Sequence, residues 1–134
     1  MNLPQDLLHT LDGLGQDFLL RFYETELERH PENLEVLAEL GQLYTSRGDW
    51  TRGLEVDQLL VGLIPENPTA QYNLACSQAL LGQTQAALET LARAVECGYD
   101  DARFLAEDDD LVSLREDPRF QALLERLRSG ASGV

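Results

Sequence analysis

What most constrains this chain is a repeat. Pro31 and Pro65 stand 34 residues apart, and other positions recur at the same offset. Leu40 returns as Leu74, Gly41 as Ala75, Gly48 as Gly82, Gly53 as Ala87, Leu54 as Leu88 and Leu60 as Ala94. A fixed period of this length, with recurring residue types, specifies stacked structural units rather than one closed globule. The 134 residues suit a single domain built from such units.

Spacing within a unit gives its shape. Leu37, Leu40, Gly41 and Tyr44 follow the i, i+3, i+4, i+7 pattern of a helix with one apolar stripe. Gly48, within "SRGDW", breaks that helix. A second striped stretch carries Trp50, Leu54, Leu60, Leu63 and Ile64 as far as Pro65. The next unit repeats the arrangement as "TAQYNLACSQALLG" and "TQAALETLARAVECG". The small pairs Gly41 with Gly53, and Ala75 with Ala87, fall where two helices must approach closely. Each unit is therefore expected to be a helical hairpin whose exposed stripe is covered by the next hairpin. Unit one is predicted over residues 34–67 and unit two over 68–101.

These residues resemble the tetratricopeptide repeat, with its pattern of L-G-x-x-Y, then A, then P. "LAELGQLYTSRGDWTRGLEV" followed by "IP" matches at Leu40, Gly41, Tyr44, Gly48 and Pro65. It departs at Asp57, where the family places a large apolar residue, and at Gly53, where alanine is usual. In the second unit Gln71 and Gln78 replace the usual aromatics, while Leu74, Ala75, Gly82, Ala87, Leu91 and Ala94 fit. Residues 72–127 resemble the family's end-of-group module, carried by "YNLAC", Gly82, Leu91, Gly98, Asp110-Leu111, Leu114-Arg115, Asp117-Pro118 and Phe120. The resemblance implies an all-α fold: a short right-handed solenoid of helical hairpins, closed by an acidic loop and a final helix.

The flanks are less regular. Leu7, Leu8, Leu11 and Leu14 suggest one helix, and "DFLLRFYETELERHP" a second, with Gly13 and Gly15 between them. Residues 1–33 are thus read as a degenerate N-terminal hairpin acting as a cap, with a family-specific helical extension as the alternative. At the other end, Asp117 before Pro118 is a helix-start signal, an N-cap acceptor followed by a residue that needs no amide hydrogen. Phe120, Leu123, Leu124 and Leu127 then share one face of a capping helix, within an acidic half-repeat over 102–128. Residues 129–134 read as a flexible tail.

A net charge of −14 argues against nucleic acid, which needs clustered positive charge. All ten basic residues are arginine. No apolar run approaches the roughly 20 residues of a membrane helix, and "MNLPQDLLHTLDG" lacks the basic segment of a secretory signal. A cytoplasmic protein is expected, with Cys76 and Cys97 reduced. In "EDDDLVSLRED", Asp110 is expected to cap a short turn while Asp108 and Asp109 face water. A metal site at Glu107–Asp110 is the competing reading, but calcium loops interleave their ligands with a turn glycine. No metal or cofactor is expected. His9 and His30 accompany no nucleophile pattern, and an enzyme is not expected.

The resemblance offers a concave groove lined by the first helix of each hairpin. Mapped onto this chain, it implies Ala38, Gln42 and Thr45 from unit one and Thr69, Tyr72, Asn73, Cys76 and Ala79 from unit two. Arg103 follows from the half-repeat. Relatives that clamp a chaperone carboxylate use five groups; Asn73 and Arg103 match, Ala38 and Gln42 do not, and Glu107 reverses a charge. The expected function is a protein–protein adaptor that binds a partner segment. A secretion-type chaperone is the second reading, and a carboxylate-metal hydrolase the third. Self-association through apolar N-terminal surface stays open.

Overall fold

A repeated pair of local signals sets the helices. Three of the four repeat helices start where a short polar side chain accepts an orphan amide, and each first helix ends where a glycine takes positive φ. The computed structural model describes residues 5–130, with side chains from residue 13 onward. Its helices are α1 (Gln5–Arg29), α2 (Leu34–Ser46), α3 (Trp50–Leu63), α4 (Pro68–Leu80), α5 (Thr84–Glu96), α6 (Ala102–Glu107) and α7 (Pro118–Arg128), with a 3-10 helix over Asp109–Leu114. No strand occurs among the described residues.

Asn33 caps α2 by accepting from Val36 N–H, and Asn67 caps α4 in the same way from Ala70 N–H. Asp117 caps α7 through Arg119 N–H, with Pro118 at the first helical position. At the end of α2, Gly48 takes φ 81°, and Asp49 N–H reaches back to the Tyr44 carbonyl. Gly82 (φ 75°) repeats this after α4, where Gln83 N–H meets the Gln78 carbonyl. The recurrence of Gly48 as Gly82 is thus a recurrence of one Schellman turn.

The hairpins α2–α3 and α4–α5 stack through α3 and α4, α1 lies on α2, and the 3-10 helix and α7 close the far end. Two buried clusters follow. Leu37, Leu40, Tyr44, Val56, Leu60 and Ala70 form the first, with Leu20, Tyr23 and Leu27 of α1 packed against it. The second runs from Ala75, Ala87 and Leu91 to Leu105, Leu111, Leu114 and Phe120. Phe120 is buried in one cluster with Leu91 and Val95. Burying each large apolar side chain stabilises by about 1.5–3 kcal/mol.

The N-terminal region departs from its expected form. One uninterrupted helix, Gln5–Arg29, replaces the hairpin expected within residues 1–33. Gly13 and Gly15 sit inside it with nothing near their missing side chains, and neither takes positive φ. Glycine weakens a helix by about 1 kcal/mol but does not by itself end one. The expected face of Leu7, Leu8 and Leu11 lies outside the described side chains, as do residues 131–134 of the expected tail.

Candidate functional site: a groove between the hairpins

The close approach of the first hairpin sets one wall of the site. A Cβ on Gly53 would stand 2.9 Å from Thr45 Oγ1, and one on Gly41 would stand 2.6 Å from Asp57 Oδ1. The space that Gly41 leaves empty is therefore filled by the Asp57 carboxylate. This accounts for an aspartate where the repeat normally carries a large apolar residue. Asp57 is only 4% exposed, and its Oδ2 accepts from the Ser77 hydroxyl of α4 at 2.6 Å. Burial pushes this carboxyl up to about 6, against the opposing effect of the Ser77 hydrogen bond.

The other wall is built across a longer stretch of chain. Tyr72 of α4 is buried, and its hydroxyl donates to Asp108 Oδ2 at 2.6 Å. The ring stacks on Tyr99 at 4.5 Å between centroids with planes 8° apart, and Phe104 flanks it at 5.8 Å. Asp108 uses its second oxygen, Oδ1, to accept from Asp110 N–H at 2.9 Å, and so caps the 3-10 helix. The expectation for this run is therefore corrected: Asp108, not Asp110, is the cap, and it points toward Tyr72 rather than to water. Asp109 is the fully solvent-facing member. Local pattern cannot separate two adjacent cap candidates when the deciding hydroxyl is 36 residues away.

Between these walls lies a groove of about 540 Å³. From α2 it is lined by Gln42, Thr45 and Ser46, and from α4 by Thr69, Tyr72, Asn73 and Cys76. Asp57, Tyr99, Phe104, Asp108 and Asp110 complete it. Of the residues expected from sequence, Gln42, Thr45, Thr69, Tyr72, Asn73 and Cys76 meet here. Three others lie elsewhere. Ala38 packs against the first core cluster, Ala79 is buried in the second, and Arg103 is exposed beside Glu107 at 3.4 Å. Asp57, Tyr99, Phe104, Asp108 and Asp110 were not expected there. A signal did exist for Tyr99, which stands 34 residues after Pro65, at the phase where a third proline would fall.

The chemistry of the groove is anionic and quiet. Burial, then the charges of Asp108 and Asp110, push the Cys76 thiol well up, which is the reverse of what a nucleophile needs. Burial and the Asp108 hydrogen bond do the same to Tyr72. Burial, then Asp108 and Asp109, raise Asp110. His30 stands elsewhere, on the surface beside Glu26 at 3.7 Å. One ligand atom each from Cys76, Asp108 and Asp110 lies within 4.8 Å of the others. The four side chains of Glu107–Asp110 do not converge: Glu107 meets Arg103, Asp109 faces solvent, and Asp108 and Asp110 line the groove.

Comparison with known proteins places the fold. The crystal structure of MamA superposes with a TM-score of 0.73 and 23% identity, over 96% of this chain and 75% of that one. Together with the 34-residue period, this establishes a tetratricopeptide-like helical repeat fold. A chloroplastic protein of Arabidopsis thaliana is 34% identical over 89 residues, 64% of this chain. The matched part spans 27% of that relative's length. No family model matches the chain. Among the described residues, no helix is long and apolar enough to cross a membrane.

Proposed function

We infer that this chain is a non-enzymatic interaction module that holds an extended segment of a partner protein in the groove between α2 and α4. One observation carries the reading. Gln42, Thr69 and Asn73 line the groove, yet none of their side chains hydrogen-bonds to another of the described residues. Two amides and a hydroxyl, unspent and facing one cleft, suit the alternating donors and acceptors of an extended backbone. The helical repeat fold supports the same reading, since its stacked hairpins present a continuous surface to a partner. The elevated thiol of Cys76, beside carboxylates that raise it rather than a cation that would lower it, argues against covalent catalysis here.

The test is site-specific photo-cross-linking in the source cell. A photoreactive side chain replacing Gln42 or Asn73 should capture a discrete partner. The same probe replacing Gln58, exposed on α3, should not. Equal capture from all three positions, or capture only from position 58, would remove the groove from the function.

A further inference from the structure

We propose that the groove selects a basic segment, and that a cationic side chain of the partner seats between Phe104 and the carboxylates of Asp108 and Asp110. This rests on the groove reading above and names the chemistry of its occupant.

The groove lacks counter-charge. Three carboxylates, Asp57, Asp108 and Asp110, line the groove, and no arginine does. The chain has no lysine to supply the charge either. The nearby guanidiniums do not pair with the groove carboxylates, although the buried Arg115 Nε has no partner among the described residues. Arg103 pairs with Glu107, while Arg115 donates to the Asp108 backbone carbonyl at 3.1 Å and lies 3.9 Å from Asp109. Asp108 and Asp110 therefore form no ion pair with the described residues, although both are partly withdrawn from water. Asp108 is held by a phenol, a thiol and an amide, all neutral donors.

Asp57 supplies an independent observation. It is 4% exposed, its Oδ2 accepts from the Ser77 hydroxyl, and its Oδ1 lies against Gly41 at the groove wall. A buried carboxylate without a cation is costly unless something completes it. Burial is the first cause of the upward displacement of Asp57, Asp110, Cys76 and Tyr72, and the Asp108 charge adds to it at Asp110, Cys76 and Tyr72.

The aromatic wall fits the same ligand. Phe104 is 55% exposed at the groove's edge, beside Tyr72 and Tyr99. A guanidinium or ammonium group packs favourably on such a ring while its protons reach carboxylates. The strongly acidic chain would also speed the encounter. A divalent metal on Cys76, Asp108 and Asp110 is the rival occupant.

The experiment is fluorescence anisotropy with the full chain in EDTA, using labelled peptides of one length that are arginine-rich, lysine-rich, uncharged or glutamate-rich. Both basic peptides should bind at least about tenfold tighter than the uncharged one, with affinity falling as salt rises. Asp110→Asn, which breaks no hydrogen bond made by the carboxylate, should cost the basic peptides about tenfold and leave the uncharged peptide unaffected. Glu66→Gln, an exposed change away from the groove, should cost them little. If Glu66→Gln costs as much as Asp110→Asn, attraction is diffuse and the proposed seat is wrong. If the uncharged peptide binds as well as the basic ones, the charge inference fails while the groove reading stands. If no peptide binds, the inference fails, and cross-linking from positions 42 and 73 then decides the groove separately. Calorimetric zinc or calcium binding that Cys76→Ser abolishes and basic peptides do not compete would give the site to a metal and overturn the proposal.

Discussion

The two ends of the array close in different ways. At the C-terminal end, Leu105 of α6, Leu111 and Leu114 of the 3-10 helix, and Phe120 of α7 are all 0–1% exposed. At the N-terminal end, Leu14, Phe18 and Phe22 of α1 are 60%, 69% and 54% exposed, although the opposite face of α1 packs on α2. Both ends are rich in apolar residues, so composition does not explain the difference. What differs is whether the chain turns back. After α5 three short helices fold over the last stripe, whereas α1 is a single layer that covers α2 and is itself uncovered. A cap works by hiding its own outer face, and only one end of this molecule has such a cap among the described residues.

The largest effect should separate the ends directly. Phe120→Ala removes a ring from a closed core and should cost about 3–5 kcal/mol, a large share of a small domain's stability. Phe18→Ala removes a ring from the bare face of α1 and should change stability by less than about 0.5 kcal/mol. Urea melts of both variants, at several protein concentrations, measure this. A cost for Phe18→Ala that approaches that of Phe120→Ala, and grows with concentration, would mean that α1 is covered by self-association.

How much of the molecule is legible in its sequence follows the same division. Features written in local chemistry can be read: the Gly48 and Gly82 turns, the Asp117-Pro118 start, the stripe that buries Phe120. The repeat makes α2 to α5 readable because each assignment is stated twice. The α1 region misleads because it has no second copy, and paired glycines look alike whether they lie in a turn or in a helix. The groove is half legible. Its polar side, from Gln42 to Cys76, follows from laying the tetratricopeptide pattern on the chain. Its acidic and aromatic side depends on contacts such as Tyr72 with Asp108 and Gly41 with Asp57, which join distant stretches and leave no periodic trace.

Asp57 sits on the seam between the two hairpins, carried by α3 and hydrogen-bonded to Ser77 of α4. Its carboxyl rises from 3.8 to about 6 on folding, so the folded state favours the protonated form. The stability this group contributes is then full below about pH 4 and is lost as pH rises through about 6. Between pH 7 and pH 5 the native chain should gain about 1 kcal/mol that Asp57→Asn does not gain. The quantity to read is the difference between the two melting curves, since other carboxylates titrate alike in both. Parallel curves would show that the seam is not a desolvated carboxylate.

The smallest effect decides the point on which sequence and structure part. Gly15 lies inside α1 with open space where a Cβ would go and without positive φ. In a continuous helix, alanine there restricts the unfolded chain and suits the folded one, so Gly15→Ala should stabilise by about 0.5–1 kcal/mol. In a hairpin, the same position would serve the turn between two helices, and alanine would strain a left-handed residue there. The sign of the change therefore discriminates where its size is modest. Gly48→Ala provides the internal standard, because φ is 81° at that residue and alanine must destabilise it. Opposite signs at positions 15 and 48, read from paired urea melts, would establish α1 as one helix. A shared loss would restore the hairpin and with it a second closed end.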